Sequence, residues 1–155
     1  MLRGRPLIIG LGPVVFEVVK IPIDPVAKQR PRKGSSGHFY TPEKTRRYED
    51  DLCRFMIASR HNHKGPFPLS GPLGIAALFR FPILKAGKNR PTTGDLHTAK
   101  PDIDNLTKAV MDALQTAGII KNDSQFAYNM AIKIWSNDPA VSFRIFQGGT
   151  YNAET

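Results

Sequence analysis

The sequence is poor in cysteine. Cys53 stands alone among 155 residues, so no internal disulfide can form and a disulfide-stapled secreted scaffold is excluded. A lone cysteine suits a reducing compartment, and a cytoplasmic location is the expectation. No run of 18 apolar residues occurs, so neither a membrane-spanning helix nor a membrane partner is expected. There is no internal repeat, no low-complexity tract, no Cys/His set of zinc spacing and no Ser–His–Asp pattern for covalent catalysis. The opening Met1-Leu2-Arg3-Gly4-Arg5, followed by Leu7-Ile8-Ile9-Gly10-Leu11, faintly imitates a signal peptide. It lacks a small-x-small cleavage site and runs straight into strand-like sequence. What is present is globular: 41% hydrophobic, 23% charged and 9% aromatic residues, enough for one domain with a real core.

Charge is unevenly placed. Residues 1–100 hold 18 Lys/Arg and 7 Asp/Glu, whereas residues 101–155 hold 4 and 6, dividing a net +9 into +11 and −2. A basic body with a small acidic patch is what a nuclease needs, because Lys and Arg attract phosphates while carboxylates hold a divalent metal. A basic protein whose last third happens to be acidic is the plainer alternative.

Val14 to Ile21 is β-branched and predicts a strand, ended by Pro22 and Pro25. Lys28-Gln29-Arg30-Pro31-Arg32-Lys33 leads into a Gly34-Ser35-Ser36-Gly37 turn, with His38-Phe39-Tyr40 as a short returning strand. Thr41 as N-cap and Pro42 at the first helical position open a helix over about residues 42–60, with Tyr48, Leu52, Phe55, Met56 and Ser59 at helical spacing. Leu73 to Phe81 alternates as a strand. Residues 84–100 have no apolar period and predict a mobile basic loop. Leu106, Val110, Ala113, Leu114 and Ala117 stripe a second helix of about 104–117, stopped by Gly118. Strands at about 125–135 and 141–147 close the chain. The expected fold is α/β (α+β): one domain over 14–147, a mixed sheet of about four strands and two helices, with an extension at 1–13 and a tail at 148–155.

The acidic stretch is Lys100-Pro101-Asp102-Ile103-Asp104-Asn105-Leu106-Thr107-Lys108, then Asp112, then Asn122-Asp123-Ser124-Gln125. On an extended segment Asp102 and Asp104 point the same way, with Ile103 turned into the core. Two carboxylates ~4 Å apart repel by a few kcal/mol at an effective dielectric near 20, so they take up a proton, pair with a cation or bind a metal. The alternative is a helix cap at Asp104 and a solvated Asp104–Lys108–Asp112 ladder. In the strand after Asp123, Phe126, Tyr128, Met130, Ile132 and Ile134 are expected on the core face. Lys133 falls on the other face, bordering the same cleft as Asp123. Carboxylates with water and phosphate suit Mg²⁺ or Mn²⁺.

At these residues the sequence resembles the RusA-type Holliday-junction resolvases of bacteria and their phages. Three stretches carry the likeness: Lys28–Arg32 with Tyr40-Thr41-Pro42; His97–Lys108 with Asp112-Ala113-Leu114; and Asn122–Gln125 with Lys133. The resemblance implies that Asp102, Asp104 and Asp123 are catalytic, metal-binding carboxylates and Lys108 a functional lysine. It implies a bacterial or prophage-encoded homodimer that nicks a four-way junction symmetrically with Mg²⁺, or Mn²⁺ in its place. Many members have Asp where this chain has Asn122, which puts Asn122 in doubt as a ligand.

Lys28, Arg30, Arg32, Lys33, His97, Lys100 and Lys133 are the candidate DNA contacts. Lys44, Arg46 and Arg47 read as a solvent face, and His61-Asn62-His63 does not make an HNH site. A helix from 104 to 117 is about 20 Å long, and five or six extended residues could just return the chain from its end to Asp104. Two such helices packed across a dimer axis would instead bring Asp123 of one subunit beside Asp102 and Asp104 of the other. Both arrangements stay open. A non-cleaving, structure-selective DNA-binding protein and a nuclease of broader flap or fork preference are the competing functions.

Overall fold

The computed structural model describes residues 11–149; nearly all of the expected N-terminal extension and most of the tail lie outside them. In chain order the elements are β1 (Val14–Ile21), β2 (Arg32–Lys33), β3 (Phe39–Tyr40), α1 (Glu43–Arg60), β4 (Leu73–Pro82), α2 (Ile103–Thr116), a 3₁₀ turn (Asp123–Gln125), β5 (Phe126–Ser136) and β6 (Ala140–Gln147). The sheet runs β1-β6-β4-β5; β4 and β5 are parallel, joined by the α2 crossover, and the other pairs are antiparallel. This is the expected α+β fold, with a mixed four-stranded sheet and two helices.

Both helices contribute to the buried core with one face of the sheet. Phe16, Ile75 and Ile145 from the strands meet Leu52 and Met56 of α1 and Leu106, Val110 and Leu114 of α2, all fully buried. The α1 stripe is narrower than expected, since Phe55 stays 37% exposed. Its start also lies one residue later. Pro42 is the N-cap, kept outside the helix by its extended ψ of 141°, which leaves Thr41 one residue too early to cap it. Helix α2 stops as expected. Gly118 takes φ +68° while its N–H and that of Ile119 donate back to Gln115 and Leu114 at 3.1 and 3.0 Å, a Schellman closure.

β5 departs from the expected facing. The pairing with β4 slips between Leu73↔Phe126 and Gly74↔Tyr128, leaving Ala127 as a one-residue bulge. Phe126 therefore packs with the core, but Tyr128, Met130, Ile132 and Ile134 pass to the opposite face, and Ala131, Lys133 and Trp135 turn toward the helices. Met130 and Ile132 are 42% and 53% exposed. At the bulge only a glycine fits beside the tyrosine, since a Cβ on Gly74 would stand 1.8 Å from the Tyr128 ring.

Two basic segments are shaped by local bonds. β2 and β3 form a small hairpin closed across Gly34–His38. In the 84–100 segment, Gly94 donates to Trp135, Trp135 to Asp95 and His97 to Lys133, so residues 94–97 run beside β5 and are fixed there. No helix among the described residues is long and apolar enough to cross a membrane.

Candidate active site

The site is built around α2. Asp102 is its N-cap residue, extended at φ −69° and ψ 144°, yet its side chain makes no cap hydrogen bond. Asp104 lies in the first turn, and both residues are exposed. Helix formation begins at Ile103, so the extended segment ends one residue too soon to bury that side chain. Ile103 is 39% exposed rather than turned into the core. The two carboxylates sit where orphan backbone N–H groups and the helix dipole favour negative charge.

Lys108, one turn on, does not complete a ladder back to Asp104. Its ammonium is paired with Asp112 at 3.1 Å and hydrogen-bonded to Asp123 of the same chain. These bonds outweigh burial and hold the Lys108 pKa above its ordinary value; the same contact with Lys108 holds Asp123 below the usual carboxylate range. Asp112 also takes Lys28 at 3.0 Å, and Lys28 takes Glu49 of α1 at 2.9 Å. Burial opposes the Lys28 charge, but the hydrogen bonds to Glu49 and Asp112 raise its pKa on balance. Glu49, Lys28, Asp112, Lys108 and Asp123 thus form one chain of alternating charge that ties α1, the N-terminal basic segment and the 3₁₀ turn to α2.

A capping box presents Asp123. The Asn122 side chain accepts from Ser124 N–H at 2.8 Å, while the Gln125 carbonyl oxygen accepts from Asn122 N–H and Lys121 N–H. Gln125 also donates to the Leu69 carbonyl. Asn122 is therefore the cap of the turn. The Asn-x-x-Gln spacing was the signal available for it.

The expected DNA contacts divide into two groups. Arg30, Arg32, Lys33 and Lys100 are exposed. Lys28 is committed to Glu49 and Asp112, and its backbone N–H to the Asn105 carbonyl. Lys133 faces the helices and donates to the carbonyls of Ala99 and Pro101, both at 2.7 Å. His97 is 5% exposed and packed between Phe81 and Trp135, at ring separations of 4.1 and 4.2 Å. Burial, with the nearby Lys133 charge, pushes its imidazole below the ordinary range. None of these three offers a free cation to a phosphate. His63 is likewise spoken for, accepting from Glu17 N–H and contacting the Ser59 carbonyl.

Asp102 and Asp104 supply hard oxygen donors of the kind Mg²⁺ and Mn²⁺ take, commonly one or two carboxylates completed by water and phosphate. In that sense the residues fit such an ion. The third carboxylate is engaged by Lys108, and no three His, Cys, Asp or Glu side chains among the described residues already form a metal cluster.

The same residues fall inside a family match. The model of the family Endodeoxyribonuclease RusA aligns with residues 22–146, from the end of β1 to the end of β6. An uncharacterized protein of Bacillus subtilis (strain 168), YqaN, is 30% identical over 138 residues, covering 79% of this chain and 89% of its own length. With Asp102, Asp104, Lys108 and Asp123 all within a match that takes in both helices and three of the four strands of the sheet, the chain belongs to the RusA endodeoxyribonuclease family.

Proposed function

We propose that this endodeoxyribonuclease is a homodimer that resolves four-way DNA junctions by paired, symmetrical nicks, using Mg²⁺ or Mn²⁺. The observation that supports it most is the start of α2, where two exposed carboxylates lie one turn from a lysine held by two further carboxylates. Asp102 and Asp104 would hold the ion, with Asp123 joining them from the Lys108 pair. Such an ion, when bound, lowers the pKa of a coordinated water and offsets charge on the pentavalent phosphate. Lys108, already fixed in direction by Asp112, acts as a point cation on the phosphate oxygens. Arg30, Arg32, Lys33 and Lys100 draw in and align the backbones of the DNA arms.

The dimer reading rests on the sheet. Among the described residues its second face carries no helix and exposes Val19, Met130 and Ile132, an apolar surface suited to a second copy. A cytoplasmic setting, on a bacterial or prophage genome, follows from the single cysteine and the resemblance.

The direct experiment incubates the protein with a labelled four-way junction, a linear duplex, a flap and a fork, with Mg²⁺, Mn²⁺ or EDTA, beside Asp104→Asn. Paired nicks in the junction alone, lost with EDTA and in the variant, are expected. Cleavage of flaps and forks as well would mean a broader branched-DNA nuclease. Tight junction binding without nicks in either metal would make the protein architectural and the carboxylates structural.

A further inference from the structure

We infer that Lys133 is a positioning residue of the active site: it holds the strap 97–101 that delivers Asp102, and does not contact DNA. The inference rests on the metal-dependent nuclease reading for its activity readout, but its structural basis is independent of that reading.

Both ends of the strap hang on this one residue. At the start, the Lys133 carbonyl accepts from His97 N–H at 3.0 Å, while the His97 ring is locked between Phe81 and Trp135. At the end, the Lys133 ammonium donates to the Ala99 and Pro101 carbonyls, each at 2.7 Å. Between these points the chain leaves the edge of β5 and turns into the N-terminus of α2. Thr98, Ala99 and Lys100 are exposed and have no core packing to fix their path. Two charge-assisted hydrogen bonds from a strand side chain therefore set where Pro101 lies, and Asp102 follows directly.

The bulge at Ala127 makes this possible. Without it Lys133 would face away from the helices; with it, Lys133 stands on the face of the sheet that the strap crosses. A lysine suits the place because its three donors can serve two carbonyls at once without a planar geometry.

The test compares Lys133→Met, which keeps an unbranched apolar stem and removes the donors, with Lys133→Arg. Junction nicking by Lys133→Met is expected to lose about 10- to 100-fold in kcat, with a raised Mg²⁺ requirement, as for loss of groups that orient metal ligands. Junction affinity measured in EDTA, and its dependence on salt, should stay within about twofold of the parent, whereas a phosphate contact would lower the salt slope by about 0.9. Lys133→Arg should recover part of kcat. Amide hydrogen exchange should quicken in Lys133→Met at His97 and Leu106, whose N–H groups donate to the carbonyls of Lys133 and Asp102 at the two ends of the strap, and remain unchanged in α1 and β6. Unchanged exchange in the strap, or a lowered salt slope with kcat intact, would overturn the assignment. If the parent protein nicks no branched DNA, the nuclease reading fails, and the exchange experiment still decides the role of Lys133.

Discussion

The Lys108 ammonium donates to the Asp123 carboxylate of its own chain, across 15 residues of sequence and from the middle of α2 to the turn that precedes β5. That bond shows how the chain returns from the far end of the helix. The Schellman closure at Gly118 and the capping box at Asn122–Gln125 fold the connection back, and the length of the Lys108 side chain covers what remains.

Catalytic sites contained within single subunits are the expected arrangement. The apolar sheet face proposed for the dimer lies opposite α2, so pairing through it leaves each α2 with its own Asp123. Mixed dimers of Asp102→Asn and Asp123→Asn subunits should then carry a defect in both sites and nick no better than either parent. Recovery of single nicks on mixing would put Asp123 into the neighbouring subunit's site and refute the arrangement.

Lys28 and Arg32 lie four residues apart yet should behave differently. Lys28 joins Glu49 to Asp112, and its loss leaves two part-buried carboxylates facing each other. Lys28→Met should cost about 1 kcal/mol, or ~2–4 °C in Tm, and leave the salt dependence of DNA binding unchanged. Arg32 is exposed on the β2–β3 hairpin. Arg32→Gln should leave Tm in place and reduce the salt slope by about 0.9. Thermal unfolding and binding titrations over a range of salt separate the two.

These contrasts also mark what the sequence could disclose. Both helices, their buried stripes apart from Phe55, and the Gly118 stop were readable because helical periodicity and αL chemistry are local. So was the acidic cluster, since its members are crowded into a short stretch. The facing of β5 was not, because a bulge at Ala127 reverses the alternation without any compositional mark. Nor could the sequence tell Lys28 and Lys133 from free cations: it displays their charge, but their partners Glu49, Asp112, Ala99 and Pro101 are brought to them only by the fold.

His97 gives the protein a defined acid sensitivity. Its folded pKa lies below the unfolded value of about 6.5, so the unfolded chain binds more protons in the interval between the two. Stability is therefore full above pH ~6.5 and declines as pH falls through that interval, levelling off below the folded pKa. A phenylalanine can occupy the space between Phe81 and Trp135 without a titrating group. Denaturant unfolding should show His97→Phe losing less stability between pH 7 and pH 5 than the parent. Equal losses in the two proteins would assign the acid response to other residues.

The open face of the sheet sets the last expectation. Val19, Met130 and Ile132 are 71%, 42% and 53% exposed, and Ile132 lies near the polar pair of Glu17 and Arg144, bonded at 2.9 Å. An apolar centre with a charged margin is how protein interfaces are commonly arranged. A stable pairing needs about 800 Å² from each partner, so it would have to extend well beyond these three side chains. Ile132→Glu introduces a charge that a solvent-facing position accepts at little cost, usually within ±0.5 kcal/mol, but that a two-fold contact would bring toward its own copy. Light scattering should find the parent at twice the chain mass and the variant at the chain mass, with the unfolding midpoint of the diluted protein little changed. A variant that remains dimeric would move the interface to another surface. A parent that is monomeric at micromolar concentration would remove the homodimer from the proposed function, and with it the source of paired nicks.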